Sequence, residues 1–165
     1  VTGALVTAGT LVVATSATVA IDDNPTISEL NAIAAKTDGA VTATLAANSL
    51  SNLGALTTAG TDVITITVND GVSTVNAEDL SALGGKTAGV VTVSNAVNIS
   101  GTTEQVTGAL VTAGTLVVAT SATVALDDNP TISELNAIAA KTDGVVTATL
   151  AANSCLLYTS PSPRD

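Results

Sequence analysis

Asn24 to Ser49 reads NPTISELNAIAAKTDGAVTATLAANS, and Asn129 to Ser154 repeats it with only Ala40 against Val145 changed. Within the first copy, Thr26-Ile27-Ser28-Glu29 has the form of a capping box, a hydroxyl for a free helical amide and a carboxylate reaching back. Asn24-Pro25 offers a competing start, with proline at the first helical position. Ile27, Leu30, Ile33 and Ala34 then fall on one helical face. Gly39 is the expected left-handed stop of that helix. Beyond it Val41, Ala43 and Leu45 alternate with Thr42 and Thr44, the period of a strand with one apolar side. The stretch predicts one helix-then-strand coil.

Working outward, residues 1–49 and 106–154 align without gaps and differ only at Ile21 against Leu126 and Ala40 against Val145. Residues 1–105 form one period and 106–154 part of a second. Gly9, Gly39, Gly60, Gly89, Gly114 and Gly144 each follow a helical pattern and precede an apolar strand. They divide the period into about four coils of about 26 residues, inside the range of stacked arrays. Leu50, Leu53 and Leu56 lead through Gly60 to Ile64, Ile66 and Val68. Asn76 opens a helix carrying Leu80 and Leu83, which ends weakly at Gly84-Gly85, and Val91 and Val93 follow it. Thr102 to Gln105 is a further capping box. The apolar run Leu11–Ile21 puts Thr15 in the inward phase, so a bend is expected there.

Helices of two to three turns do not persist alone in water, and each strand has one apolar side. Stacking solves both problems. The expected fold is an α/β repeat solenoid, with a parallel sheet on one face and a row of helices on the other, joined by right-handed crossovers. An all-β solenoid is the alternative, because Thr and Val are abundant and glycines interrupt the helices.

Composition agrees with a thin repeating core. Apolar residues make up 46% of the chain, yet Phe, Trp and Met are absent, so Ala, Val, Leu and Ile must fill it. The net charge of −10, with no basic patch, argues against nucleic acid or an anionic membrane as partner. Histidine is absent and cysteine occurs once, which removes the commonest general base and any cysteine-based zinc site. Val1–Ile21 is uncharged, but its Thr and Ser content and its recurrence at Val106–Leu126 make it part of the repeat, not a membrane span or signal peptide. The chain opens on Val1, as a piece of a longer protein would.

Residues 155–165, CLLYTSPSPRD, hold the only Cys, Tyr and Arg and two of the four Pro. They interrupt the repeat where a segment like Leu50–Gly60 is due. The string resembles the in-frame translation of a sequencing adapter, a contaminant of environmental assemblies, and is read as a non-native tail.

No nucleophile–base pair, phosphate loop or metal-ligand spacing is visible, so the chain is not expected to be an enzyme and no cofactor is implied. Lys36, Lys86 and Lys141 recur in a K-T-x-G context, where they suit a helix C-terminus. Acids gather at Asp22-Asp23, Asp70, Glu78-Asp79 and Asp127-Asp128. They suit capping and solubility, with calcium, which wants six to eight oxygens, as the alternative. The outward strand positions Thr42, Thr44, Thr65, Thr67, Thr92, Thr147 and Thr149 would form a threonine ladder if the strands stack in register. Threonine is at home on any solvated strand face, but flat T-x-T arrays resemble the ice-binding faces of some antifreeze solenoids.

The pattern ELNAIAAKTDGVVTATL at Glu134–Leu150 resembles units of very long tandem-repeat proteins of marine and aquatic bacteria. Leu30, Asn31, Ile33, Lys36, Thr37, Gly39, Val41 and Thr44 match it, as do residues 135–149 in the second copy. The resemblance implies an adhesin-like protein, secreted or held at the cell surface, with neighbouring repeats of its own chain as the main partners. A structural or adhesive segment is the expected function. A solenoid that binds ice, glycan or calcium through the threonine face or acidic turns is the alternative.

Overall fold

In the computed structural model the described residues are 1–7, 12–115 and 117–151. Helix α2 (Ile27–Ala34) starts at the capping box, not at Asn24-Pro25. The Thr26 hydroxyl accepts from the Glu29 amide at 3.2 Å, and the Glu29 carboxylate accepts from the Thr26 amide at 3.0 Å. The same reciprocal pair closes α5 (Thr103–Leu110) through Thr102 and Gln105, and α6 (Ile132–Ala139) through Thr131 and Glu134. The Asn76 side chain caps α4 (Ala77–Gly84) by accepting from the Glu78 amide at 2.7 Å. Two single-turn helices, α1 (Thr2–Leu5) and α3 (Leu50–Leu53), complete the set of six among the described residues. These helices, with the parallel strands that accompany them, bear out the α/β class and overturn the all-β alternative. The reason is local, since in each of α2 to α6 the N-cap side chain accepts from a helical amide two or three residues on.

The strands are β1 (Val19–Ala20), β2 (Val41–Thr44), β3 (Val63–Val68), β4 (Thr74–Asn76), β5 (Val91–Val93), β6 (Asn98–Gly101), β7 (Val117–Val118), β8 (Thr123–Leu126) and β9 (Val146–Thr147). All their pairings are parallel. They form two sheets, ordered β1-β2-β3-β5-β7 and β4-β6-β8-β9. The expectation of a single sheet is therefore corrected. Strands β4 and β6 bury only Val75, and Ile99 with Gly101, so their apolar period is too short to read in the sequence. What makes them strands is pairing with one another, Val75 opposite Ile99. The bend expected in the Leu11–Ile21 run is visible in its second copy, where a turn at Thr120-Ser121 separates β7 from β8. Leu11 and Gly9 lie outside the described residues.

Between sheets and helices runs one continuous core of small aliphatic side chains. Leu30, Leu53, Ile64, Leu80, Ile99 and Leu110 are fully buried in it. Strand β3 shows the phase cleanly, with Ile64, Ile66 and Val68 inward and Val63 and Thr65 outward.

The glycines work differently from the expected left-handed caps. Gly101 is the only positive-φ residue among those described. Helix α2 ends on Ala35 in right-handed geometry, four residues before Gly39. A Cβ at Gly39, Gly89 or Gly144 would run into the backbone carbonyl of Ala17, Ile64 or Ala122, each about one coil earlier in the chain. Close backbone approach, not backbone handedness, demands glycine there.

Candidate functional site

Of the outward threonines, Thr42, Thr44 and Thr65 are exposed on the five-stranded sheet, while Thr67 and Thr92 are partly covered. The register brings Thr44 beside Thr65 and Thr67 beside Thr92, but puts Thr42 beside Val63 and Thr92 beside Val118. Thr147 lies on the other sheet, opposite Ala125, and Thr149 falls beyond the end of β9. The continuous ladder expected from sequence is thus corrected to two threonine–threonine steps interrupted by valines. Unequal coil lengths shift each strand along its neighbour, so matching sequence positions do not become matching ranks. The exposed valines Val63 (42%), Val90 (58%) and Val118 (40%) make the face mixed in polarity.

The K-T-x-G motif finds its chemistry in the threonine. The buried Thr87 hydroxyl accepts from the amides of Ile64 at 2.7 Å and Gly89 at 2.8 Å. It also lies in donor range of the carbonyls of Asp62 and Ile64, at 3.0 and 2.9 Å. Thr37 and Thr142 repeat this, each donating to the carbonyl of Ala17 or Ala122 and accepting from Gly39 or Gly144. Each threonine clips its turn to the preceding coil, and the glycine two residues on lets the backbones meet. Of the lysines, Lys86 donates to the carbonyl of Gly54, the residue that closes α3, at 2.7 Å. That placement suits the negative end of a helix.

Acidic residues serve as acceptors between coils. Buried Asp62 accepts from the amides of Val41 at 2.8 Å and Ala59 at 2.9 Å. Asp70 accepts from the first amide of α3, that of Leu50, at 2.6 Å. Asp128 accepts from the first amide of α5, that of Thr103, at 2.8 Å, and from the Thr103 hydroxyl. Those two Thr103 bonds, the hydroxyl's the larger effect, hold the Asp128 carboxyl below its ordinary range. The Thr26 amide and hydroxyl lower Glu29 in the same way, and the Thr131 hydroxyl and amide lower Glu134. No group of three or more His, Cys, Asp or Glu converges among the described residues. Of the acidic turns expected as a calcium alternative, Asp70 and Asp128 are each drawn to a different helix start, α3 and α5.

An open groove of about 570 Å³ runs between α3 and α4, lined by Leu50, Gly54, Asp70, Asn76, Asp79 and Lys86. Its polar groups are largely engaged within the fold, Asp70 with Leu50, Asn76 with Glu78 and Lys86 with Gly54. Sequence reading missed Asp62 altogether and assigned no role to Asn31. The Asn31 carboxamide donates to the carbonyl of Ala55 and accepts from the amide of Thr57, both at 2.9 Å. The recurrence of K-T-x-G was the available signal for the threonine clips, and it was read for its lysine.

No helix among the described residues is long and apolar enough to cross a membrane. Comparison with protein-family models, with curated proteins and with solved structures finds no match. The chain is a parallel α/β protein, and its functional reading rests on its own residues.

Proposed function

We propose that the chain is a stretch of stacked helix–strand coils, a solenoid of about 26 residues per coil. Its function is structural or adhesive, as part of a large bacterial protein that is secreted or held at the cell surface. It carries no catalysis of its own. One observation supports this most. Strand β8 meets β9 in the register in which β1 meets β2, Val124 opposite Val146 as Val19 is opposite Val41. The repeat in sequence is thus matched by a repeat in pairing. The hydrogen-bonding groups of Asn31, Asp62, Asp70, Thr87 and Asp128 are used between coils, which favours a scaffold over a reaction centre.

The test is small-angle scattering on one, two and four tandem periods. Four coils at a strand spacing of about 4.8 Å should lengthen the particle by roughly 19 Å per period at constant cross-section. Growth as a compact sphere would overturn the solenoid, and fractionation of the native protein into the cytoplasm would overturn the surface location.

Ligand binding through the mixed threonine and valine face is the second reading, favoured by the exposure of Thr65 beside Val63 and Val90. Thr65→Tyr with Thr67→Tyr should then abolish ice shaping or glycan binding. Unchanged binding, or none in the parent chain, rejects it.

A further inference from the structure

Near-identical sequence in two surroundings shows what each residue needs. Leu30 is fully buried, but its counterpart Leu135 is partly exposed. Leu45 is 5% exposed and Leu150 47%. In the first copy this side is covered by the coil that follows. Strand β3 pairs with β2, Ile64 opposite Ala43, while Asn31 clasps the backbone of Ala55 and Thr57 and Asp62 takes the Val41 amide. Among the described residues of the second copy, β9 has β8 as its one strand neighbour and the Asn136 carboxamide has no hydrogen-bond partner.

We infer that the end face made by α6 and β9 is a docking surface, and that its occupant is a further repeat unit with the chemistry of Leu50–Gln105. The unit enters on α6 and β9 as α3 and β3 enter on α2 and β2. Its backbone fills the Asn136 carboxamide, and an aspartate in the place of Asp62 takes the Val146 amide. The opposite end of the chain fits the far edge of the same unit. Val1 and Val12 are 54% and 56% exposed, while Val117, the counterpart of Val12, is 2% exposed and Val106, the counterpart of Val1, is fully buried. Their cover comes from α4 and β5, which pack on α5 and β7 and both belong to Leu50–Gln105.

This docking also relates the two sheets. Strands β8 and β9 are the sequence counterparts of β1 and β2, yet they close the four-stranded sheet while β1 and β2 open the five-stranded one. A β3-type strand on β9 therefore extends the four-stranded sheet as β3, β5 and β7 extend the other, while a β4-type strand opens a new sheet. Successive periods place staggered sheets side by side. The inference rests on the stacked reading proposed above.

The experiment extends the chain after Ser154 with a copy of Leu50–Gln105 and follows amide hydrogen exchange at Val146, Thr147 and Leu150. Docking should slow exchange at these amides at least roughly tenfold against the parent. Asn136→Ala should reverse much of that gain in the extended chain and leave the parent unchanged. Amides that exchange as fast as in the parent, whether or not the added residues fold, overturn the inference. If scattering on tandem periods still shows a lengthening rod in that case, the stacked reading stands and only this face is lost. Sedimentation of the unextended chain as a dimer, with the same amides protected, would assign the face to a second copy and also overturn it.

Discussion

The carboxylate of Asp62 accepts a hydrogen bond from the amide of Val41 at 2.8 Å, across 21 residues of chain, while its other oxygen accepts from the Ala59 amide. Asp62 is buried and its bond to Val41 is shielded from water, while the bond to exposed Ala59 is partly so. One carboxylate ties a strand start to its own turn and to the coil before it. Asp62→Ala leaves two amides without their acceptor, at a cost of roughly 1–3 kcal/mol for each that stays buried. Urea denaturation should show that loss, with Thr61→Ala, at an exposed neighbour, as the near-neutral control. Equal midpoints for the two variants would refute the role given to Asp62.

Thr87 and Gly89 divide one task between a hydroxyl and a missing side chain. Thr87→Val keeps the shape but removes the acceptor for the Ile64 and Gly89 amides, and should cost at least about 1–3 kcal/mol. Gly89→Ala, made alone, drives a Cβ into the Ile64 carbonyl and should cost roughly 1–3 kcal/mol. Gly71→Ala has open space around it and should stay within about 0.5 kcal/mol of the parent. Thermal melts of the three variants decide the matter, and a Gly89→Ala chain as stable as Gly71→Ala would contradict the close-approach explanation.

Acid should destabilise the fold through its capping carboxylates. Asp128, Glu29 and Glu134 all titrate lower in the folded chain than their ordinary values, because threonine hydroxyls and amides bond to the charged form. Their contribution is therefore complete above the ordinary carboxylate range and is lost as pH falls through the lowered folded values. Melting temperature should fall between about pH 5 and pH 2. Thr103→Val should raise the Asp128 midpoint towards its ordinary value in an NMR titration and flatten that fall. An Asp128 titration unaltered by Thr103→Val would remove this explanation.

Much of the local structure was legible. The capping boxes at Thr26, Thr102 and Thr131 work within three residues, so residue type and spacing are enough to find them. The inward phase of Val41, Ala43 and Leu45 was equally plain, because alternation is a property of the strand itself. Thr15 at a turn and Asn76 at a helix start were read for the same reason.

What the chain alone could not decide was who meets whom one coil away. Asp62 reaches Val41 across 21 residues, Thr87 reaches Ile64 across 23, and Asp128 reaches Thr103 across 25. Those separations differ because the coils differ in length, and no sequence period predicts a variable offset. The same irregularity broke the threonine ladder at Val63 and Val118, and it left β4 and β6 too short to announce a second sheet. Sequence by itself determined the capping boxes, the apolar faces and the duplication of Asn24–Ser49, because these depend on bonds and periods within a few residues. Only the tertiary structure decided the two parallel sheets, the glycines as points of backbone contact and the acids as acceptors between coils, because each depends on the register in which separate coils come to rest.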